Sequence, residues 1–351
     1  RLLSVMLGAG LLMVAFGTVR ATFPKRPALG LMTAAFIAFI PQHVTMSAGV
    51  NNDTLAELIV GATLWALVVY VDSGLMIRPH APEAQPLQQE LPVALRRGEQ
   101  RPWHVGLLLA AALLTKTTAY VVLGVAVAAV AIRWRRERRT WVWATHQLGW
   151  MLIPALLLSA PWFIRNGLTY GWSDPLGLAR HETIVAGQPR SSEWLATYGW
   201  QGLLSRMAQT TFQSFWGQFG WMAVPLPGRI YQILLVLSAL LSAGFIVWLI
   251  GQRRSRPASS PVPQSTSLLV LSASLSCAAF LWYNLTFVQH QGRYLFPALI
   301  PIGTAAALGL DTLAELLLKQ LRSWVIGGLF VVLAIFDVTC LFRIVIPNLT
   351  R

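Results

Sequence analysis

Charged residues and cysteine are scarce in this sequence. Only 11% of its 351 residues are charged, whereas 55% are hydrophobic, and cysteine occurs twice. Cys277 and Cys340 lie inside apolar runs, where a thiol acts as a small core side chain. We therefore predict no disulfide or cysteine metal framework. The scarcity of charge is instead typical of a membrane protein.

Apolar runs recur along the full length of the chain. A run of about 20 apolar residues crosses the ~30 Å hydrocarbon layer. The pattern predicts an all-α, polytopic transmembrane helix bundle forming a single multi-pass domain over 1–351. Of about ten predicted segments, the pair 103–116 and 118–133 is short for two spans and also fits a re-entrant hairpin. The segments are 2–19, 28–41, 53–71, 103–116, 118–133, 147–163, 230–250, 268–287, 294–312 and 324–346.

Lys and Arg outnumber Asp and Glu by 27 to 13, which gives a net charge of +14. In a soluble chain this excess suggests nucleic-acid binding. Here Arg and Lys cluster in short loops between apolar segments, as the positive-inside rule expects. The loop 133–139 holds five arginines and is predicted to be cytoplasmic. Counting alternately from it, we predict four further cytoplasmic loops, at 20–27, 72–102, 251–267 and 313–323. The five loops together hold 17 of the 27 basic residues.

The same parity places the other loops outside the membrane. These carry Asn51-Asn52-Asp53, Lys116, the long segment 164–229 and the stretch 289–293. Arg1 also falls outside, so we expect at least one helix and an outer loop before it. The predicted location is a bacterial inner membrane in the cell envelope, with an extracytoplasmic active face.

The stretch 41–57 is the densest early cluster of polar groups. Asn51 or Asn52 suits a helix N-cap, and Asp53 in the first turn is favoured by the helix dipole. Glu57 lies one turn further along the same face. A pure capping role and a binding role are both open for this stretch.

Two ionisable residues interrupt apolar segments. Lys116 stands within A-L-L-T-K-T-T-A-Y, and Asp337 lies well inside the last helix. A charge at such depth is costly and has a partner or a function. Pairing with Thr339 or another polar group is the simple alternative for Asp337.

The outer segment 164–229 combines aromatic and charged residues. Its rings favour the headgroup level, so we predict amphipathic helices along the outer membrane surface. An aromatic belt alone does not account for its charged and imidazole side chains, which are Arg165, Asp174, Arg180, His181 and Arg190. A second outer site, Q-H-Q-G-R-Y at 289–294, delivers Arg293 and Tyr294 to a helix mouth, although a lone Arg can also snorkel to headgroups.

Several stretches together carry a family resemblance. They are N-N-D-T-L-A-E-L (51–58), L-L-T-K-T-T-A (113–119), P-W-F-I-R-N with Y-G-W-S-D-P-L-G (161–177), S-F-W-G-Q-F-G-W-M (214–222) and Q-G-R-Y-L-F-P-A-L-I-P (291–301). In this order the chain resembles the C-type superfamily of membrane glycosyltransferases, most of all a branch of uncharacterised predicted bacterial membrane proteins. The resemblance implies a polyprenyl-phosphate-linked sugar as donor, an acceptor glycan, lipid or protein, and surrounding membrane lipids. It also implies a main catalytic Asp in a first outer loop, upstream of Arg1.

The residue chemistry agrees with such a reaction. A lipid-phosphate leaving group needs cations, and an acceptor hydroxyl needs a carboxylate base, for which Asp53 or Asp174 are candidates. Asp53 is the candidate catalytic residue. The candidate substrate-binding residues are Asn52, Lys116, Arg165, Asp174, Arg180, His181, Arg293 and Tyr294. No His, Asp or Glu spacing requires a metal, no cofactor is predicted, and a divalent cation stays open.

Two other functions remain open from the sequence. A transporter or lipid-linked-sugar flippase predicts internal repeats and polar, broken helices near mid-membrane. Here the polar groups collect at one rim, Lys116 and Asp337 excepted, and no repeat is evident. A non-catalytic scaffold explains the helices but not the outer basic cluster.

Overall fold

The computed structural model describes residues 1–73, 102–185, 187–254, 263–317 and 319–349. Within these ranges the chain is almost entirely helical. The helices of the first half are α1 (Leu2–Thr22), α2 (Pro27–Ala38), α3 (Pro41–Ala48), α4 (Asp53–Ser73), α5 (Pro102–Thr115), α6 (Val121–Glu137) and α7 (Trp141–Tyr170). Those of the second half are α8 (Leu178–Ile184), α9 (Ser191–Trp216), α10 (Gly228–Arg254), α11 (Ser265–Thr286), α12 (Leu299–Leu317), α13 (Arg322–Thr339) and α14 (Ile346–Leu349).

Shorter elements connect these helices. Three are 3₁₀ turns, at Thr117–Tyr120, Gly292–Ala298 and Lys319–Leu321, and a π-helical stretch follows α13 at Cys340–Val345. Strands β1 (Gln218–Phe219) and β2 (Val224–Pro225) form an antiparallel hairpin, in which Gln218 is opposite Pro225 and Phe219 is opposite Val224.

The predicted membrane bundle is confirmed, with a smaller number of full spans. In the described part of the chain, eight helices are long and apolar enough to cross a membrane, or nine if the bent pair α2–α3 counts as one span. The predicted segment 28–41 contains the bend of 69° between α2 and α3. Ile40 is extended there because it precedes Pro41, which also has no N–H to continue a helix. The predicted segment 103–116 is the short helix α5.

The helices α1, α2, α4 and α12 pack together and contribute large buried side chains to the core, including Leu11, Ile37, Leu64 and Tyr70. A second contact joins α10 to α12, where a Cβ on Gly309 would meet the backbone carbonyl of Leu241. Small residues at such a crossing let two membrane helices approach closely. The helix α5 packs mainly on α7.

Basic loops gather at one end of the bundle, which we call the Asp311 end. The buried Asp311 accepts from Arg322 Nε at 3.1 Å and lies 3.9 Å from Arg26. The i, i+4 spacing of Asp311, Glu315 and Lys319 predicts a ladder of charges at the end of a cytoplasmic helix. Asp311 pairs with arginines from other elements instead, because a buried carboxylate needs a compensating charge. Residues 74–101 of the predicted loop 72–102 and residues 255–262 of the predicted loop 251–267 lie outside the described residues.

The opposite end, which we call the Asp53 end, contains α3, the start of α4, and the 3₁₀ turns at 117–120 and 292–298. The helix α9 packs against α3, α11 and the turn at 292–298, and is not among the candidate spans of the described residues. It is kinked at Gly199, whose φ of 64° lies in the left-handed region.

Candidate functional site

The site begins where α4 starts. Asn51 Oδ1 accepts from the Asp53 backbone N–H at 2.9 Å, and Asn51 Nδ2 donates to the Met46 carbonyl at 3.0 Å. The capping oxygen is therefore that of Asn51. Asn52 instead donates from Nδ2 to the Thr115 carbonyl at 3.2 Å, which ties the start of α4 to the end of α5. The Asp53 side chain is thus not needed as a cap.

Lys116 lies at the break between α5 and the next 3₁₀ turn. Its backbone is extended, with φ −163° and ψ 143°, and its ammonium contacts Asp53 Oδ1. The Nζ atom also lies 5.8 Å from the centre of the Tyr294 ring. The predicted cost of a deep cation is met by this carboxylate and this aromatic face.

Arg293 is positioned by a turn that is fixed to α9. Ser214 Oγ accepts from the Gly292 N–H at 2.7 Å, and Thr211 Oγ1 donates to the His290 carbonyl at 3.1 Å. A Cβ at Gly292 would collide with the α9 backbone at Thr211 and Phe215. Only glycine allows this approach, and the next residue is thereby directed to the Asp53 end.

The Arg293 guanidinium is surrounded but barely hydrogen-bonded. Its Nη1 is 4.0 Å from Asp53 Oδ2 and 4.0 Å from Met46 Sδ, and its centre lies 5.2 Å from the Trp221 ring and 5.4 Å from the Tyr294 ring. A separation of 4.0 Å between N and O exceeds hydrogen-bond length. The buried Nε has no partner among the described residues. A guanidinium has five N–H donors, and within the described residues none of those of Arg293 makes a hydrogen bond to an oxygen.

These groups line one pocket. Its walls come from Asp53, Ala56, Glu57, Lys116, Thr118, Arg293, Tyr294 and Pro297. Two carboxylates and two cations therefore share a small space at the end of the bundle. The Asp53, Arg293 and Lys116 side chains are 14%, 19% and 24% exposed, so their charges are partly shielded from water.

Behind the pocket wall lies a buried pair. His43 Nε2 is 3.1 Å from Glu57 Oε2, and both side chains are at most 5% exposed. The His43 ring packs edge-to-face on Phe296, with ring centres 5.7 Å apart. The bend before Pro41 sets the direction of α3 and so presents His43 to α4.

Four predicted site residues make their contacts elsewhere, namely Arg165, Arg180, His181 and Asp174. Arg165 donates to Asn166 Oδ1 at 3.1 Å and lies over Trp162 at 5.3 Å. Arg180 is exposed, and the exposed His181 packs its ring on Phe287 at 5.7 Å. No contact between these side chains and the Asp53 pocket is found within the described ranges.

Asp174 caps the short helix α8. Its two oxygens accept from the backbone N–H groups of Leu178 at 2.7 Å and Arg180 at 2.8 Å. The hydrogen bond from Arg180, supported by neighbouring N–H groups, lowers the pKa of Asp174. Its carboxylate is therefore held in a local structural contact.

Sequence reasoning did not select His43, Glu57 or Trp221 as site residues. Glu57 was recognised as sharing a face with Asp53, and that i, i+4 relation was the available signal. Trp221 is 88% exposed and its backbone is left-handed, with φ 54°. Nothing in the local sequence indicates that it lies over Arg293.

The described residues contain no group of three or more His, Cys, Asp or Glu side chains arranged for a metal ion. The pocket carboxylates are instead engaged by Lys116, Arg293 and His43.

No protein-family model and no curated protein matches the sequence. Among solved structures, the chain is similar to ArnT from Cupriavidus metallidurans in the apo state, with a TM-score of 0.46 and 16% identity over 92% of this chain and 46% of that one. It is also similar to the archaeal oligosaccharyltransferase AglB from Archaeoglobus fulgidus in complex with an inhibitory peptide and a dolichol-phosphate (TM-score 0.43, 14% identity, 94% and 42% covered). A further match is the Archaeoglobus fulgidus oligosaccharyltransferase with Zn and sulfate (TM-score 0.43, 14% identity, 95% and 39% covered). The chain thus spans less than half the length of each of these proteins.

Proposed function

We propose that this protein is a membrane glycosyltransferase that moves a sugar from a polyprenyl-phosphate carrier to an acceptor. The reaction takes place at the Asp53 end, which the positive-inside rule assigns to the extracytoplasmic face. The observation that carries the proposal is the Arg293 guanidinium. Its buried Nε has no partner among the described residues, and Arg293 lines the same pocket as Lys116. Unused donors on a pocket arginine favour an anionic ligand.

The phosphate of the carrier is the anion that fits a membrane-rim site. Lys116 offers a compact charge and Arg293 a planar fork, and both hydrogen-bond well to phosphate oxygens. When the bond between sugar and phosphate breaks, negative charge grows on the phosphate. Two preorganised cations stabilise that charge, and removing one such group costs about 10²–10³-fold in turnover.

Asp53 holds these cations in place. Its Oδ1 contacts Lys116 and its Oδ2 faces Arg293, so both oxygens are directed to positive charges. Without the carboxylate, two like charges in a partly buried pocket would repel each other. We therefore assign to Asp53 the positioning of the phosphate-binding cations.

The other predicted contacts surround this centre. Asn52 fixes the start of α4 to α5, and Tyr294 lies under the Lys116 ammonium. We assign Arg165, Arg180 and His181 to the binding of headgroup or acceptor on the outer surface, because their side chains are exposed there. Asp174 supports this surface by capping α8.

One observation favours a transporter as the second candidate. Asp337 lies inside a candidate span, and its buried Oδ1 has no partner among the described residues. Intramembrane carboxylates of this kind occur in ion and proton pathways. Solute or proton flux without any sugar transfer would support that function.

The test uses the full-length protein in proteoliposomes. Polyprenyl monophosphates carrying a radiolabelled hexose or pentose are supplied as donors, and a bacterial envelope extract is supplied as acceptor. We expect labelled sugar to leave the lipid fraction and enter a product. Release of no label from any donor, together with no binding of polyprenyl phosphate, would contradict the proposal.

A further inference from the structure

The pocket holds two carboxylates, and their surroundings differ. Asp53 has a cation against each oxygen. Glu57, one helical turn away, has its Oε2 bonded to His43 at 3.1 Å. Among the residues that the structure describes, this is the one side-chain hydrogen bond of Glu57, and its other oxygen, Oε1, takes no part in it. The two carboxylates are therefore suited to different tasks.

We infer that, among the described residues, Glu57 is the carboxylate that takes the proton from the acceptor hydroxyl, with His43 as its positioning residue. This inference rests on the proposed function. Asp53 is less suited to the task because Lys116 contacts its Oδ1 and Arg293 Nη1 lies 4.0 Å from its Oδ2, so two cations attract its negative charge. Glu57 lines the same pocket, and neither of these cations contacts it.

His43 fixes the geometry of Glu57. An ionised carboxylate only accepts hydrogen bonds, so the contact requires a hydrogen on His43 Nε2. The Phe296 ring restrains the imidazole from one side. With Oε2 held in this way, Oε1 remains the oxygen available to the pocket. A locked orientation of this kind is what a proton acceptor needs.

The charged and titratable groups around Glu57 come from several elements. They are Asp53 on α4, His43 on α3, Lys116 after α5, Arg293 and Tyr294 on the turn at 292–298, and Asp337 on α13, which lies within electrostatic range of His43. Lys116 and Arg293 face Asp53, so Glu57 is the pocket carboxylate that neither a lysine nor an arginine contacts in the described part of the chain.

The step balances as follows. The acceptor O–H bond breaks and its proton passes to Glu57 Oε1. The acceptor oxygen uses the freed electron pair to bond to the anomeric carbon of the sugar. The bond from that carbon to the carrier's phosphate oxygen breaks, and its electron pair stays on the phosphate beside Lys116 and Arg293. No oxidant, reductant or further co-reactant is consumed.

The test compares Glu57→Gln with Glu182→Gln in the proteoliposome transfer assay. Gln keeps the hydrogen bond from His43 but accepts no proton at neutral pH. We expect Glu57→Gln to lower kcat about 10²–10⁴-fold, the range of general-base catalysis, with the donor KM within about threefold. Binding of plain polyprenyl monophosphate should be unchanged. Glu182 belongs to an exposed pair with Arg190 at the same end, and its replacement should leave kcat unchanged.

The pH profile gives a readout that a structural role would not produce. In the wild type, kcat should fall as pH decreases, because protonated Glu57 accepts no proton. The Glu57→Gln variant should lose this dependence. His43→Ala should lower kcat, and His43→Gln, which can still donate to Oε2, should restore much of it.

Three results would overturn the inference. One is that the wild type transfers sugar and the Glu57→Gln variant does so with the same kcat, which would leave the proposed function intact. Another is a Glu57→Gln variant that keeps the acid limb of the wild type. If Glu57→Gln does not fold, Glu57→Asp replaces it, and wild-type kcat in that shortened variant would be the third. An inactive wild type that also fails to bind the carrier would instead contradict the proposed function.

Discussion

The Lys116 ammonium contacts the Asp53 carboxylate although the two residues are 63 positions apart. Each lies at the end of a different helix, and the contact closes one side of the pocket that Arg293 borders on the other. A carboxylate between two cations is an arrangement that a phosphate can enter by exchanging contacts with both cations.

Removal of either cation should reduce transfer strongly. We expect Lys116→Ala and Arg293→Ala to lower turnover about 10²–10³-fold, because each removes one charge-stabilising group. Folding should be largely retained, since neither side chain fills the core. Arg229→Ala is the matched control, because Arg229 is exposed at the same end and should tolerate the change. Full transfer by both pocket variants, measured with labelled donor, would contradict the phosphate assignment.

Replacement of Asp53 separates a cation-holding role from a capping role. Asp53→Asn keeps the backbone N–H that bonds to Asn51 but removes the charge between Lys116 and Arg293. We expect a loss of transfer of about 10²-fold with little change in thermal stability. Asn51→Ala should instead cost about 1 kcal/mol of stability, as lost caps do, and leave the folded fraction active. Unchanged activity in Asp53→Asn would indicate that the stretch serves only to start α4.

Gly292 should be the least replaceable glycine near the site. In Gly292→Ala the new Cβ meets the backbone of Thr211 and Phe215, so the turn must move away from α9 and take Arg293 with it. We expect a lower melting temperature and weak carrier binding. Gly228→Ala provides the comparison, because no atom lies within 4 Å of a Cβ there. Equal melting temperatures and equal carrier binding in the two variants would show that the close packing of the turn on α9 does not position Arg293.

Stability at mildly acidic pH should depend on His290. Burial lowers the pKa of His290 below its ordinary value of 6.5, since its ring is enclosed beside Trp194. The unfolded chain therefore binds a proton at a higher pH than the folded chain does. The stabilising contribution is fully present above about pH 6.5 and is lost as pH falls through the folded pKa. His290→Phe keeps a ring against Trp194 and should show a smaller decrease in melting temperature between pH 7.5 and 5.5. An identical decrease in melting temperature in the wild type and in the His290→Phe variant would exclude His290 as the source of the pH dependence.

Accessibility of single cysteines tests which end faces the cytoplasm. In a background without Cys277 and Cys340, Thr183→Cys should react with an impermeant maleimide on intact cells. Arg135→Cys should react only after permeabilisation, because it belongs to the arginine-rich stretch 133–139 at the end of α6. Both positions are exposed, so reagent access is comparable. Labelling of Arg135→Cys on intact cells would reverse the faces and move the proposed active site to the cytoplasm.

Most of the architecture could be read from the sequence, because the length and apolarity of a membrane helix are local properties of the chain. The apolar runs predicted each of the eight candidate spans in the described part of the chain, and the alternation of basic loops divided the helix ends into two groups. The structure brings basic groups of three predicted cytoplasmic loops, through Arg26, Arg136 and Arg322, to the Asp311 end. Pro41 predicted a break in the chain, although not the 69° bend that follows from it.

The composition of the pocket was decided by the tertiary structure. Lys116, Arg293, Asp53 and Tyr294 could be chosen as candidates one by one, since an isolated charge in an apolar segment is visible in the sequence. Their mutual contacts depend on how each helix is rotated and crossed against its neighbours. Helices that are apolar all round carry little periodic signal of that rotation. For the same reason His43 and Glu57 became a pair only when the folded chain brought them within hydrogen-bond distance.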